Sequence, residues 1–143
     1  MKLSKAQKMR LQTIGRKYKL KLVLLFGSAA TGKMHACSDI DIAVQTEDPS
    51  KGFGIYLDLL HEFEAVFPEK KIDLSFTGRA DPLFLAMMCK QPRCLYGKKL
   101  DLAKLKLLSY KKYIDYQPYL AIESKFVDRF VKELYYGVEQ KVN

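Results

Sequence analysis

Hydrophobic and polar positions in the first third of the chain alternate between helical and strand spacing. Ser4-Lys5-Ala6-Gln7 has the pattern of a capping box, which predicts a helix running to about Tyr18. The β-prone apolar run from Leu20 to Phe26 predicts a buried strand, and Gly27-Ser28 ends it with a tight turn. A short helix is then expected from about Ala29 to Met34.

Two later segments alternate polar and apolar residues as strands do. Ser38 to Val44 predicts a strand that sends Asp39 and Asp41 to one face, and Lys71 to Phe76 predicts another that carries Asp73. Apolar residues recur at helical spacing between these strands, at Phe53, Tyr56, Leu59, Leu60, Phe63 and Phe67. The pattern therefore places a helix between two strands.

The remaining chain is predominantly helical in pattern. Asp81-Pro82 is a strong helix start, with Asp as the N-cap, for a helix to about Cys89. Arg93 to Tyr96 is compatible with an edge strand. A helical pattern then extends from Asp101 to about Tyr136, and Pro118 is expected to break or kink it.

This order of elements predicts an α/β (α+β) fold with a sheet of three or four strands. The length of 143 residues, with 48% hydrophobic residues, is typical of one domain. We expect a single domain over residues 1–143, with a core at about 4–97 and a helical extension at about 101–137.

The composition indicates the cellular compartment of the protein and the kinds of partner that it can bind. The net charge of +9, from 25 Lys and Arg against 16 Asp and Glu, favours anionic partners without choosing among them. Cys37, Cys89 and Cys94 form no CxxC pair, which argues against disulfides and structural zinc. No signal-peptide pattern and no apolar stretch of about 20 residues is visible, so we expect a cytoplasmic protein without a membrane segment.

The pair Asp39 and Asp41 is the first candidate for chemistry. Carboxylates at alternate positions of a strand point the same way and can reach one divalent cation or two. Without a cation, two neighbouring like charges cost stability. The alternative is that both residues lie on the wet face of an edge strand.

Gly27-Ser28 lies ten residues before this pair, at the end of the preceding strand. Gly allows a close backbone approach, and N–H groups at a helix start together with the Ser hydroxyl can hold a triphosphate. Mg²⁺ prefers one or two carboxylates plus substrate phosphates, so the parts are complementary. Asp73 is the expected third carboxylate, as metal ligand and proton acceptor, or else a solvent-facing strand residue.

Other patterns in the sequence could also indicate a ligand site. Gly27 to Met34 nearly matches a P-loop, but Met34 stands where a hydroxyl should bind Mg²⁺. Lys33 is compatible with either a phosphate contact or a solvated helix position. His35 and His61 have no metal-ligand spacing, and we assign them no role in catalysis.

The stretch from Gly27-Ser28 through ten residues to Asp39-Ile40-Asp41 resembles the signature of minimal nucleotidyltransferases in the DNA polymerase β superfamily. The resemblance covers about residues 20–97 and implies a mixed sheet with helices packed on one side. It implies that Gly27 and Ser28 hold the triphosphate of ATP. Asp39, Asp41 and Asp73 would then bind Mg²⁺, with two ions expected.

Among such proteins, the chain is most similar to the adenylyltransferase antitoxins paired with HEPN ribonuclease toxins. That resemblance implies transfer of AMP from ATP to a tyrosine hydroxyl of the toxin, and a hetero-oligomer with it. Transfer to a small-molecule hydroxyl such as an aminoglycoside, or toxin binding without catalysis, is the alternative. Tyr110, Tyr113, Tyr116 and Tyr119 either form a partner surface or pack on the core. We expect no sequence-specific binding of nucleic acid.

Overall fold

Four strands and five helices follow one another along the part of the chain that the computed structural model describes, residues 2–32, 38–52 and 54–139. In chain order they are α1 (Lys5–Lys17), β1 (Leu20–Phe26), α2 (Gly27–Thr31), β2 (Ile40–Thr46), α3 (Tyr56–Val66), β3 (Ile72–Phe76), α4 (Pro82–Lys90), β4 (Arg93–Gly97) and α5 (Lys99–Glu139). Single 3₁₀ turns follow β2 and β3, at Pro49–Lys51 and Thr77–Arg79. The predicted elements are confirmed, with α2 starting earlier, at Gly27.

The four strands form one mixed sheet in the order β3-β2-β1-β4. β1 is antiparallel to both β2 and β4, whereas β2 and β3 are parallel. The sheet of three or four strands is therefore confirmed, and Arg93–Gly97 forms one of its two edge strands. The P-loop alternative is excluded, because β1, the strand before Gly27, is antiparallel to both β2 and β4.

Helices cover both faces of the sheet, which corrects the expectation of helices on one side. On one face α1 and α3 bury a core that contains Leu11, Ile14, Val23, Leu25, Ile40, Ile42, Val44, Leu59, Phe63, Ile72 and Leu74. On the other face α4 and the start of α5 bury Leu22, Leu24, Phe26, Ala43, Leu85, Met88, Cys89 and Leu105. β1 supplies apolar residues to both cores, so it is the centre of the fold.

The start of α1 has the predicted capping box. The Ser4 hydroxyl accepts a hydrogen bond from the Gln7 backbone N–H at 3.1 Å, and the Gln7 side-chain oxygen accepts one from the Ser4 N–H at 2.9 Å. The two bonds satisfy backbone donors that a helix start would otherwise leave free. The helix therefore begins where the sequence predicts.

α5 continues through Pro118, so of the predicted break or kink the break is wrong. Pro118 lies inside the 41-residue helix and lacks the N–H that would bond to the carbonyl of Ile114. Both residues are exposed, so water can solvate this carbonyl and the helix loses one bond without burying an unpaired acceptor. Despite its length, neither α5 nor any other helix in the described ranges is apolar enough over a sufficient span to cross a membrane.

Replacing the N-cap of α4 should weaken the fold by a measurable amount. The Asp81 carboxylate accepts hydrogen bonds from the backbone N–H groups of Leu83 and Phe84, both at 2.9 Å. We expect Asp81→Ala to lower the free energy of unfolding by about 1 kcal/mol in urea denaturation. Glu64→Ala, at an exposed position inside α3, is the control and should change stability by less than about 0.5 kcal/mol. Equal effects in both variants would contradict the cap.

Candidate active site

Two of the predicted carboxylates face each other across neighbouring strands. In the parallel pairing of β2 and β3, Asp41 is the register partner of Asp73. Asp41 alternates with the buried residues Ile40 and Ile42, so it points to the same face as Ala43. That is the face covered by α4 and α5. Asp41 is half-buried and Asp73 is exposed, so the pair lies at an accessible edge of this face.

Gly27 brings the turn after β1 directly against Asp41. Phe26 is the register partner of Asp41 in the antiparallel pairing of β1 and β2, and Gly27 follows with a φ of 65°. A Cβ atom at position 27 would overlap the Oδ2 atom of Asp41. Glycine is therefore required here both for its backbone conformation and for space. Ser28 follows in the first turn of α2 and is half-buried.

The three predicted carboxylates influence one another electrostatically. The pKa of Asp41 is raised, first by burial and then by the negative charges of Asp73 and Asp39. Like charges raise a carboxyl pKa because each opposes ionisation of the other. The negative charges of Asp39 and Asp73 thus both act on Asp41.

Lys71, which was not predicted from the sequence, forms an ion pair with Asp39. The Lys71 ammonium lies 3.5 Å from Oδ2 of Asp39, and the Lys71 carbonyl accepts a hydrogen bond from the Ile40 N–H at 2.8 Å. Asp39 immediately precedes β2, and Lys71 immediately precedes β3. The sequence contained a signal for this residue. Lys71 lies two residues before Asp73, so both lie near the start of β3.

The chemistry of this donor set fits a divalent cation. Carboxylate oxygens are the ligands that Mg²⁺ prefers, and a cation would relieve the repulsion that raises the pKa of Asp41. Within the described residues no three Asp, Glu, His or Cys side chains are already gathered at metal-binding positions. Asp39 instead lies beside Lys71. This ion pair involves only Oδ2 of Asp39.

The raised pKa of Asp41 predicts how stability depends on pH without metal. Between the ordinary pKa of 3.8 and the raised value, the folded protein binds more protons than the unfolded chain, so stability falls as pH rises through this window. Because Asp41 is partly solvated, we expect Asp41→Asn to raise the melting temperature at neutral pH by only roughly 1 to 3 °C. The difference should vanish below the ordinary pKa.

Differential scanning fluorimetry across this pH range, with chelator present, measures the effect. Asp58→Asn removes an exposed carboxylate from the first turn of α3 and should give no such rise. A melting temperature of Asp41→Asn below that of the wild type at neutral pH would contradict the raised pKa of Asp41, which burial and the neighbouring charges cause.

Several residues of the sequence analysis, including Met34 at the expected end of α2, lie outside the described part of the chain. Lys33, His35 and Cys37 lie outside the described residues, as does Phe53. His61 is exposed on α3, the helix that packs on the opposite face of the sheet. None of these residues therefore enters the candidate site as described.

Two clefts open at the other end of the sheet. One, of about 300 Å³, is lined by Leu20, Lys21, Glu47, Tyr96, Gly97, Lys98 and Asp101. The second, of about 430 Å³, is lined by Lys17, Tyr18, Lys19, Thr46, Glu47, Asp48, Lys51 and Ile55. Both adjoin the start of β1 and the end of β2, whereas Asp41 lies beside the end of β1. They are separate from the carboxylate edge.

The four tyrosines at positions 110, 113, 116 and 119 of α5 do not share one environment. Tyr110 and Tyr119 are exposed, whereas Tyr113 and Tyr116 are half-buried. The rings of Tyr116 and Tyr119 stack with centroids 6.0 Å apart, and the Tyr116 hydroxyl donates a hydrogen bond to Glu123 at 3.1 Å. Two of these four tyrosines therefore pack partly within the chain, and the other two are exposed to solvent.

Comparison with protein families gives a match over most of this architecture. The family model described as polymerase beta, nucleotidyltransferase matches residues 10–101. These residues include Gly27, Ser28 and all three candidate carboxylates. No curated protein matches the chain.

Several solved structures share the fold. A chain of a toxin–antitoxin complex with AMP-PNP has a TM-score of 0.68 and 24% identity, over 87% of this chain and 98% of that one. A chain of an MntA-HepT toxin–antitoxin complex has a TM-score of 0.63 and 21% identity, over 90% and 99%. A chain from the complex of a tri-AMPylated Shewanella oneidensis HEPN toxin with an MNT antitoxin has a TM-score of 0.63 and 21% identity, over 88% and 97%. At these identities the likeness is one of fold.

Proposed function

Because this chain belongs to the polymerase β nucleotidyltransferase family, we propose that it is a Mg²⁺-dependent adenylyltransferase that moves AMP from ATP to a tyrosine hydroxyl of a HEPN toxin and thereby neutralises it. The observation that carries the proposal is the facing of Asp41 and Asp73 across parallel strands, with the Gly27 turn against Asp41. A triphosphate held at this turn would lie next to the carboxylates.

The transfer is a displacement at the α-phosphorus of ATP. The tyrosine oxygen forms a bond to this phosphorus, the bond from the α-phosphorus to the oxygen that bridges the α- and β-phosphates breaks, and pyrophosphate leaves with that oxygen. We assign the backbone after β1, at Gly27 and Ser28, to phosphate binding, and Asp73 to accepting the proton of the tyrosine hydroxyl. Mg²⁺, when held by Asp39, Asp41 and Asp73, would supply neutralisation of the phosphate charge.

The choice of a protein acceptor is supported by the architecture of the related structures. The fold neighbours include a toxin–antitoxin complex with AMP-PNP and a complex of an MNT antitoxin with a tri-AMPylated HEPN toxin. They match over 87 to 90% of this chain. The resemblance thus extends well beyond the signature residues, although it shows only the fold. The basic net charge of +9 also favours an anionic substrate such as ATP.

The test is incubation of the purified protein with Mg²⁺, ATP and a HEPN protein encoded beside it, followed by intact mass spectrometry. We expect the HEPN protein to gain the mass of one or more AMP groups, and tandem mass spectrometry to place them on tyrosine. Asp73→Asn should abolish the gain, whereas the exposed control Asp58→Asn should retain it. If ATP binds but the HEPN protein gains no mass, the acceptor is wrong, and a small-molecule hydroxyl becomes the next candidate.

A further inference from the structure

The last part of α5 carries an apolar side that nothing in the described part of the chain covers. We call residues 119–135 the distal segment; all side chains from 121 to 135 are exposed. Its apolar members are between 42% and 73% exposed, namely Tyr119, Ile122, Phe126, Val127, Phe130, Val131, Leu134 and Tyr135. The rings of Phe126 and Phe130 stack on each other with centroids 6.5 Å apart. Seven of these residues, without Tyr135, lie within one half of the helix circumference, which also carries Glu123 and Glu133.

This side continues the side by which α5 packs on its own domain. Ser109 is buried, and Tyr116 is half-buried. Val127 and Leu134 each lie 18 residues further along, which at about 3.6 residues per turn is five full turns and the same direction. Lys125 lies about opposite Leu134. The helix thus extends its packing side beyond the body that it packs on.

The composition of the distal segment indicates that this side is buried in the working protein. Aromatic and β-branched residues are weaker helix formers than the Ala, Glu and Lys typical of a solvated helix. A helix without tertiary contacts is marginal in water. From the exposed fractions, the seven side chains present on the order of 700 Å² per chain, more than the largest apolar patch of a typical monomer.

The charge balance of the distal segment indicates what covers it. Its acidic residues are Glu123, Asp128 and Glu133, and its basic residues are Lys125, Arg129 and Lys132, so its net charge is 3 − 3 = 0. The whole formal charge of +9 therefore lies elsewhere in the chain. A strongly charged partner would favour an unbalanced surface, whereas a neutral segment is where two equally basic chains can meet with least repulsion.

We propose that the distal segments of two copies of this chain pack side by side, in opposite directions, and form a homodimer. The antiparallel arrangement places the two basic bodies at opposite ends of the paired helices, about 25 Å apart along the helix axis. The exposed apolar area, on the order of 700 Å² per copy, is the upper limit of what this pairing can bury and is close to the 800 Å² per partner of a standard stable interface. The pairing needs neither ATP nor a toxin.

Sedimentation velocity of the full chain, without nucleotide, tests the dimer over concentrations of about 1 to 100 µM. We expect the wild type to reach twice the chain mass of 16.5 kDa. Phe126→Glu/Phe130→Glu should weaken association by at least about 100-fold, because it buries charge in the interface. Lys125→Gln/Lys132→Gln changes the polar side of the same helix and should leave the dimer intact. A wild type that stays monomeric throughout would overturn the proposal.

Hydrogen exchange gives a second test that needs no substitution. We expect the amides of residues 119–135 to exchange more slowly at high than at low protein concentration, while the amides of β1 do not change. Added salt should strengthen the dimer, because it screens repulsion between the basic bodies. Exchange that is independent of concentration, or a contact with a HEPN protein that requires Phe126 and Phe130 while the chain alone stays monomeric, would contradict self-association.

Discussion

Asp41→Asn is expected to lower the rate of nucleotidyl transfer by about 10³-fold while the protein remains folded. Among the three carboxylates, Asp41 lies against the Gly27 turn. It is also the register partner of Asp73 in the neighbouring strand. Its amide would keep the shape of the side chain but remove the charge that holds a cation. Steady-state transfer of labelled AMP, with ATP and Mg²⁺ at saturation, measures the loss.

The paired control is Asp58→Asn, which removes one negative charge from an exposed position on α3. It should retain activity within about twofold, because a solvent-exposed charge on the other face of the sheet interacts weakly with the site. Full activity of Asp41→Asn would show that Asp41 is dispensable, and equal losses in both variants would attribute the effect to net charge.

Gly27→Ala is expected to damage both stability and activity. The left-handed backbone at φ 65° costs an L-residue about 1 to 2 kcal/mol, and the new methyl group would displace the Asp41 carboxylate. We expect the free energy of unfolding to fall by about 3 kcal/mol in total. Transfer should fall by about 100-fold, because a shift of about 1 Å at a catalytic group has an effect of this size.

Gly32 provides a matched control in the same part of the chain. Its φ is 76°, but a Cβ atom there would meet nothing within 4 Å. Gly32→Ala should therefore show only the backbone cost, about 1 kcal/mol, and keep most of the activity. Chemical denaturation and transfer assays on both variants separate the two effects. Equal loss of activity in both would mean that the contact with Asp41 is unimportant.

The local elements could be predicted because each depends on neighbouring residues. The capping box at Ser4 and the N-cap at Asp81 are satisfied by backbone groups two or three residues away. The run Leu20–Phe26 predicted a buried strand because its pattern, too, lies within one short segment. The apolar residues of this run also indicate that both faces of the strand are buried. Burial of both faces implies helices on both sides of the sheet, which was not predicted.

Features that depend on distant residues could not be predicted in the same way. Pro118 alone predicted a break or kink, but water can solvate the Ile114 carbonyl and the helix continues. The ion pair of Lys71 with Asp39 depends on the parallel register of β2 and β3, which the sequence does not specify. The Asp-x-Asp spacing fixed only that Asp39 and Asp41 share a face. Adjacency to Asp73 and to Gly27 required the order of strands in the sheet.

Binding of Mn²⁺ as a paramagnetic substitute for Mg²⁺ tests the central claim most directly, namely that these carboxylates hold a divalent cation together with a triphosphate. Electron paramagnetic resonance of free Mn²⁺ can be followed during titration of the wild type, with and without a non-hydrolysable ATP analogue. We predict that the wild type removes free Mn²⁺ more strongly when the analogue is present and that Asp41→Asn loses this binding. Equal Mn²⁺ binding by the wild type and Asp41→Asn, while the control Asp58→Asn also binds equally, would contradict the assignment of the site.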